Sequence, residues 1–151
     1  MAHQDIAHQT LLEQGMLIHL TDALRSVIDW KLQGDDLSRK LSTLRFIAQS
    51  FQRHLERLMA LEEYDGYMDM VGGLSPHLGK DVDALRKDHD QFRKAVSRIV
   101  SRLERISSAD PTTMGLVCDE MLVLLEGLED HNRKESDLLQ EAFDREGGGE
   151  G

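Results

Sequence analysis

Two residues with metal-binding side chains, His131 and Glu135, interrupt an apolar helical seam near the carboxyl end of the chain. Steps of three and four residues along this seam pass through Met114, Val117, Met121, Leu124, Leu128, His131, Glu135, Leu138 and Ala142. Side chains four residues apart lie on one face of a helix, so both can reach a single ion. An unpaired carboxylate in an apolar interior is costly, so Glu135 there requires a proton, a partner or a metal. The pair therefore indicates a metal site whose other ligands must come from other helices.

Four long segments of the chain show helical periodicity, and breaks rich in Gly, Pro, Asp or Ser separate them. The segments cover about residues 6–31, 35–64, 80–106 and 114–142. Two of the three connections are short, which favours antiparallel packing of neighbouring helices. We therefore expect an all-α, up-down-up-down antiparallel four-helix bundle over residues 1–146, followed by a disordered Gly-rich tail over residues 147–151.

Each of the other three segments also places a polar residue on its apolar seam. Glu62 closes the apolar series of the second segment, and His89 takes a core position in the third. His19 lies in the expected inward stripe of the first segment, which consists of Leu12, Met16, His19, Ala23, Val27 and Trp30. His89 and His131 are about equally far from the turn between their segments, so the two side chains should face each other. A lone core histidine usually hydrogen bonds to a neighbour, but polar residues on four facing helices favour a metal site.

The composition argues against several classes of partner. A formal net charge of -10 opposes binding to nucleic acid or anionic lipid, and no segregated basic patch offsets it. No secretory signal is visible, and no apolar stretch approaches the roughly 20 residues that span a bilayer. Cys118 is the only cysteine, so no intrachain disulfide can form. We expect a cytoplasmic protein that is not an enzyme, since no separate nucleophile, general base or substrate cleft is visible.

The polar and aromatic residues beside Glu62 are expected to lie in solvent or to pack against the bundle, not to bind the metal. Glu63 points away from Glu62 on a helix, so we expect its carboxylate to lie in solvent. Tyr64 and Tyr67 are close enough in sequence to border the site, where a phenol can donate a hydrogen bond. Packing is the expected role of both tyrosines.

Several of these residues together resemble the hemerythrin-like, or HHE cation-binding, family. The resemblance rests on His19, His89, the run ALEEYDGY at residues 60–67, and the run from His131 through Glu135 to Phe143. It implies an up-down four-helix bundle that encloses a non-haem di-iron centre. Members of the family bind or sense oxygen, store or sense iron, or handle peroxide and nitric oxide. The resemblance therefore implies iron as the cofactor and dioxygen or another small diatomic molecule as a partner.

Leu58 departs from the pattern of the family, whose second helix usually carries a histidine four residues before the glutamate. His54, one helical turn further back, is the candidate replacement. About 12 Å of helix axis separates His54 from Glu62, however, so the two side chains cannot chelate one ion together. Three outcomes stay open: a di-iron centre with one ligand fewer, a shifted or mononuclear site that uses His54, or loss of the metal. Zinc also suits the second outcome.

The leading hypothesis is a metal-binding protein with a non-haem iron centre, used for oxygen binding or for redox or iron sensing. The alternative is a helical interaction module that keeps the fold but has a degenerate or metal-free site. The oligomeric state is left open. The predicted metal ligands are His19, His54, Glu62, His89, His131 and Glu135.

Overall fold

Four long helices and one short helix form an antiparallel bundle in the computed structural model, which describes residues 2–31, 36–64, 66–107 and 110–148. The helices are α1 (Ala2–Ile28), α2 (Asp36–Glu63), α3 (Tyr67–Gly72), α4 (Pro76–Arg105) and α5 (Pro111–Gly148). The short α3 lies in the longest predicted break, and α4 and α5 are the third and fourth predicted helices. The predicted all-α four-helix bundle is confirmed. Residues 149–151 of the predicted tail lie outside the described residues.

Helices α4 and α5 begin three to four residues before their predicted starts because local capping groups extend them. Ser75 has an extended backbone, and its hydroxyl accepts a hydrogen bond of 3.2 Å from the amide of Leu78. Pro76 then occupies the first turn of α4, where its missing N–H removes no helical hydrogen bond. The carboxylate of Asp110 caps α5 in the same way, with a 2.8 Å hydrogen bond from the amide of Thr113.

Gly66 allows the chain to turn back tightly after α2. A Cβ atom at this position would clash with the main-chain oxygens of Leu61 and Glu62. The turn starts α3 against the end of α2, and it buries Met68 and Val71 completely or nearly so. It also brings Tyr67 beside the carboxylate of Glu62, which matters for the site described below.

The buried apolar residues form two clusters. The larger cluster joins α1, α2, α4 and α5 around residues such as Leu24, Phe51 and Leu125. The smaller cluster lies beneath α3 and consists of Met68, Val71, Leu78, Val82, Leu85, Leu138 and Ala142. Between the two clusters, along both α4 and α5, the buried residues are polar. The bundle therefore has a polar layer across an otherwise apolar core.

Helix α1 turns a different face to the core from the one that its sequence predicts. Its buried residues are Glu13, Leu17, Leu24 and Val27, whereas His19 is exposed. The predicted inward position of His19 is therefore wrong. Apolar residues occur on more than one face of α1, for example at the exposed Leu11 and Ile18, so periodicity alone cannot select the buried stripe. The helix packs mainly on α2 and makes few contacts with α5.

Large apolar residues are exposed at several places in the described ranges, such as Phe46 on α2 and Val123 on α5, and four of them lie on α1, namely Leu11, Leu12, Met16 and Ile18. Among the helices of that part of the chain, none combines the length and the apolar character that crossing a membrane requires.

Candidate metal centre

Four of the six residues predicted as ligands meet in the polar layer of the core. Glu62 lies in the last turn of α2, His89 in the middle of α4, and His131 and Glu135 one turn apart on α5. These residues are 3%, 1%, 3% and 7% exposed, so water has almost no access to their polar atoms. The predicted meeting of His89 with His131 is confirmed, since their Nε2 atoms are 3.1 Å apart.

The side-chain atoms are spaced as ligands of one ion would be. Nε2 of His131 lies 2.5 Å from Oε1 of Glu135, and Nε2 of His89 lies 3.9 Å from the same oxygen. Oε1 of Glu62 is also 3.9 Å from Nε2 of His89. Two ligand atoms at the usual ~2.1 Å from an ion stand about 3 Å apart at right angles and about 4 Å apart when nearly opposite. One nitrogen from each histidine and one oxygen of Glu135 can therefore surround a single cation, and Glu62 lies next to this group.

A second layer of carboxylates orients both imidazole rings. Nδ1 of His89 donates a 2.8 Å hydrogen bond to Oε1 of Glu63, and Nδ1 of His131 donates a 3.0 Å hydrogen bond to Oδ2 of Asp88. An ionised carboxylate can only accept, so each Nδ1 carries a proton, and each Nε2 is the ring nitrogen that faces the centre. Arg93 fixes Glu63 in turn with 2.8 Å hydrogen bonds to both carboxylate oxygens. Carboxylates in this outer position are typical of histidines that bind a metal.

Several buried polar atoms of the site have no hydrogen-bond partner among the described residues. These atoms are Oε2 of Glu62, Oε1 of Glu135 and the hydroxyl of Tyr67. Oε1 of Glu135 is close to His131, but it lies outside hydrogen-bonding geometry with that ring. The Nε2 atoms of His89 and His131 also face each other at 3.1 Å. A cation at this place would bind both Nε2 atoms and Oε1 of Glu135, so the residues fit a metal ion.

The two inner glutamates have opposite pKa shifts. Burial, followed by repulsion from Glu135, raises the pKa of Glu62 to about 10. Burial acts on Glu135 as well, but the adjoining rings of His131 and His89 outweigh it and lower the pKa of Glu135 to about 2. In the protein without metal, Glu62 is therefore protonated at neutral pH and Glu135 is ionised. Burial and the neighbouring carboxylates also raise the pKa of Tyr67, which keeps this phenol a neutral donor.

The other two predicted ligands lie away from this group. His19 is exposed on α1, because the helix turns its neighbours inward instead. Nδ1 of His54 lies 2.5 Å from Oε2 of Glu13, and Arg57 holds the other oxygen of Glu13 at 3.1 Å. His54 thus joins α2 to α1 rather than to the centre, as its two-turn separation from Glu62 requires.

The sequence reasoning missed three residues that support the centre: Glu63, Asp88 and Arg93. The expectation that Glu63 lies in solvent is wrong, since this residue is 8% exposed and binds His89. Periodicity could not reveal these residues because each lies at the margin of its apolar seam. One usable signal was the spacing of His89 and Arg93, which places an arginine one turn from a candidate ligand.

A second group of possible ligands lies at the surface, where α4 and α5 meet. Nε2 of His77 is 3.6 Å from Asp81 and 3.4 Å from Glu141. His77 has a side chain that is 60% exposed, and Arg145 already neutralises Glu141 at 3.3 Å. This group lacks the burial and the oriented rings of the core site, and it provides matched control variants.

Comparison with known proteins agrees with the donor set. A family model described as the hemerythrin HHE cation binding domain matches residues 5–143, which include all of the residues of the core site. Neither the curated proteins nor the solved structures that were searched gave a match to the chain.

Proposed function

Because the chain belongs to the hemerythrin HHE cation-binding family, we propose that its bundle core binds non-haem iron. The proposed role is oxygen binding or the sensing of iron or redox state. The observation that carries this proposal is the pair of Nε2 atoms of His89 and His131, 3.1 Å apart and each fixed by a carboxylate on Nδ1.

The donor set supports iron among the divalent metals. Two imidazoles and a carboxylate with open positions are the usual ligands of non-haem ferrous sites. Iron held in this way supplies reversible coordination of dioxygen and a one-electron redox change. Zinc binds the same donors, so the identity of the metal is part of the proposal and needs a direct measurement.

A single iron ion is the stoichiometry that the geometry supports best. Among the described residues, the buried group that can surround one cation consists of His89, His131 and Glu135, and the carboxylate of Glu62 lies beside it. His19 and His54 add nothing to this group. Leu58 occupies the position where the family pattern expects a further histidine. A second ion would therefore share the carboxylates of Glu62 and Glu135 without an imidazole of its own.

The protein residues have distinct roles in metal binding. His89 and His131 provide one ring nitrogen each, and Glu135 provides an ionised carboxylate. Glu62 must lose the proton that its raised pKa holds, so metal uptake releases a proton and is favoured at higher pH. Tyr67 stays neutral, with its hydroxyl near the carboxylates of Glu62 and Glu135.

The test is anaerobic loading of the purified protein with ferrous iron, followed by cycles of exposure to air and removal of oxygen. We expect near-ultraviolet and visible absorption to change on exposure to oxygen and to respond to its removal. His131→Ala should abolish iron retention, whereas His77→Ala should leave it unchanged because His77 is in the exposed group. Failure of the wild-type protein to retain iron would contradict the proposal and support the metal-free interaction module.

A further inference from the structure

A cavity of about 460 Å³ opens between α1 and α5 and ends at the candidate metal centre. Its floor contains Glu62, His89, His131 and Glu135. This volume lies within the range of roughly 300 to 1,000 Å³ that is typical of sites for small organic molecules. A water molecule occupies only about 30 Å³ of liquid, so a diatomic gas needs a small fraction of this space. The cavity is therefore larger than the proposed oxygen chemistry requires.

The position of α1 explains why this side of the centre is open. Because His19 is exposed, α1 contributes no ligand and instead presents Leu17 to the cavity. Leu58 of α2 also lines the cavity, at the position where the family pattern expects a histidine. The few contacts between α1 and α5 leave the space between them unfilled. The same departures that reduce the ligand set therefore create an apolar approach to the centre.

The lining of the cavity changes in character with depth. Its walls are apolar and include Phe51, Leu55, Leu58, Leu125 and Leu128. At the mouth the lining residues are polar, for example Gln14, Thr21 and Asn132. Walls of this apolar character match a molecule with a largely apolar body.

The charges around the cavity select against an anionic ligand. No lysine or arginine lines the cavity among the described residues, whereas carboxylates lie at the floor and, with Asp22 and Glu129, at the rim. Arg25 is held by Glu129 at 2.6 Å and so is already paired. An organic cation would have to give up its hydration against the leucine-rich walls, which is costly. The remaining class of ligand is neutral.

The floor does not determine a polar group of the ligand. Oε2 of Glu62 and Oε1 of Glu135 are closed to solvent and belong to the candidate metal centre. The ligand therefore contacts mainly the apolar walls. We propose that this cavity binds a neutral, largely apolar organic molecule. Because the walls and the rim contain none of the ligand atoms, this binding does not require iron.

The test uses N-phenyl-1-naphthylamine, a neutral fluorophore with an apolar body and one N–H group, whose emission rises in apolar surroundings. We expect saturable binding at one site per chain in both the metal-free and the iron-loaded protein. Decanol should displace the probe, whereas decanoate and decylamine, of equal chain length, should displace it at least about tenfold less well.

Variants at the mouth locate the binding site. Ile18→Trp and Thr21→Trp put bulk at two lining positions, and Ile18 is 62% exposed, so its replacement leaves the core intact. Both variants should weaken probe binding at least about tenfold. Leu11→Trp is the matched control, because Leu11 is 67% exposed on the same helix and does not line the cavity.

Three results would overturn the inference: no saturable binding, equal displacement by decanol and decanoate, or equal loss of binding in Leu11→Trp and Ile18→Trp. Probe binding that appears only when chains associate, as detected by sedimentation, would also overturn it, because a second copy would then be the occupant. Since the metal-free protein is tested beside the iron-loaded one, a failure of iron binding stays distinguishable from a failure of this cavity.

Discussion

Single residues of the centre show how a buried cluster of acids and imidazoles stays compatible with folding. Glu62 and Glu135 share one small space, and two neighbouring carboxylates cannot both ionise there without a cation. The protein without metal resolves this conflict with one proton, which Glu62 holds while Glu135 remains ionised against His131. A metal ion replaces that proton when it binds.

Substitution of Glu62 tests this assignment in the metal-free protein. The pKa of Glu62 is raised in the folded state from 4.5 to about 10, so its contribution to stability is fully present below pH 4.5 and is lost as pH rises toward 10. Glutamine removes the titration. We expect Glu62→Gln to raise the free energy of unfolding above that of wild type, by an amount that grows as pH rises above 4.5.

The measurement is denaturant unfolding at a series of pH values in the presence of a chelator. Glu56→Gln is the control, because Glu56 is exposed on the same helix. If Glu62→Gln increases the free energy of unfolding by an amount that is constant with pH, or that shrinks as pH rises, the raised pKa of Glu62 is contradicted.

The outer carboxylates are expected to act on the metal through the rings that they hold. Asp88→Ala removes the acceptor of His131 Nδ1, so the ring loses its fixed orientation and tautomer. We expect metal affinity to fall by about 10- to 100-fold, measured by competition with a chelator. Asp90→Ala is the matched control on α4, since Asp90 is exposed and binds only Arg93. Equal losses of metal affinity in Asp88→Ala and Asp90→Ala would show that Asp88 has no specific role in metal binding.

At the scale of helices, the sequence predicts the centre best where the seam is unambiguous. Helix α4 buries its predicted seam almost entirely, namely Val82, Leu85, His89, Phe92, Val96, Ile99 and Leu103. Its polar outer face leaves only one way to bury the helix, so the position of His89 follows from periodicity. Helix α1 has apolar residues on several faces, and its orientation is decided by packing on α2 and by the buried Glu13. For this reason the places of His19, His54 and the cavity could not be predicted.

His54 is expected to stabilise the contact between α1 and α2 without affecting the metal. It bonds to Glu13 at 2.5 Å and has no contact with the centre. We expect His54→Ala to lower the free energy of unfolding by about 1 kcal/mol while iron content stays unchanged. Unfolding curves and elemental analysis of the same preparation measure the two effects. Loss of iron in His54→Ala would show that His54 is a metal ligand.

For the whole molecule, a metal ion bound in the polar layer would join α4 and α5, with Glu62 of α2 beside it, where polar groups are imperfectly paired. Binding to the folded state alone stabilises it by about 2.7 kcal/mol when free metal is at 100 times its dissociation constant. We expect a chelator to lower the melting temperature of the wild-type protein and to leave that of His131→Leu unchanged. His77→Leu should respond to the chelator as wild type does. If a chelator leaves the melting temperature of the wild-type protein unchanged, the metal-free interaction module is supported instead.

Elemental analysis of the protein as purified, expressed as metal atoms per chain, tests the proposed centre most directly. We expect about one iron per chain in wild type, because the core site has the donors of one ion. We expect none in His131→Ala and one in His77→Ala. Two irons per chain, zinc in place of iron, or no metal in wild type would contradict the proposed mononuclear iron centre.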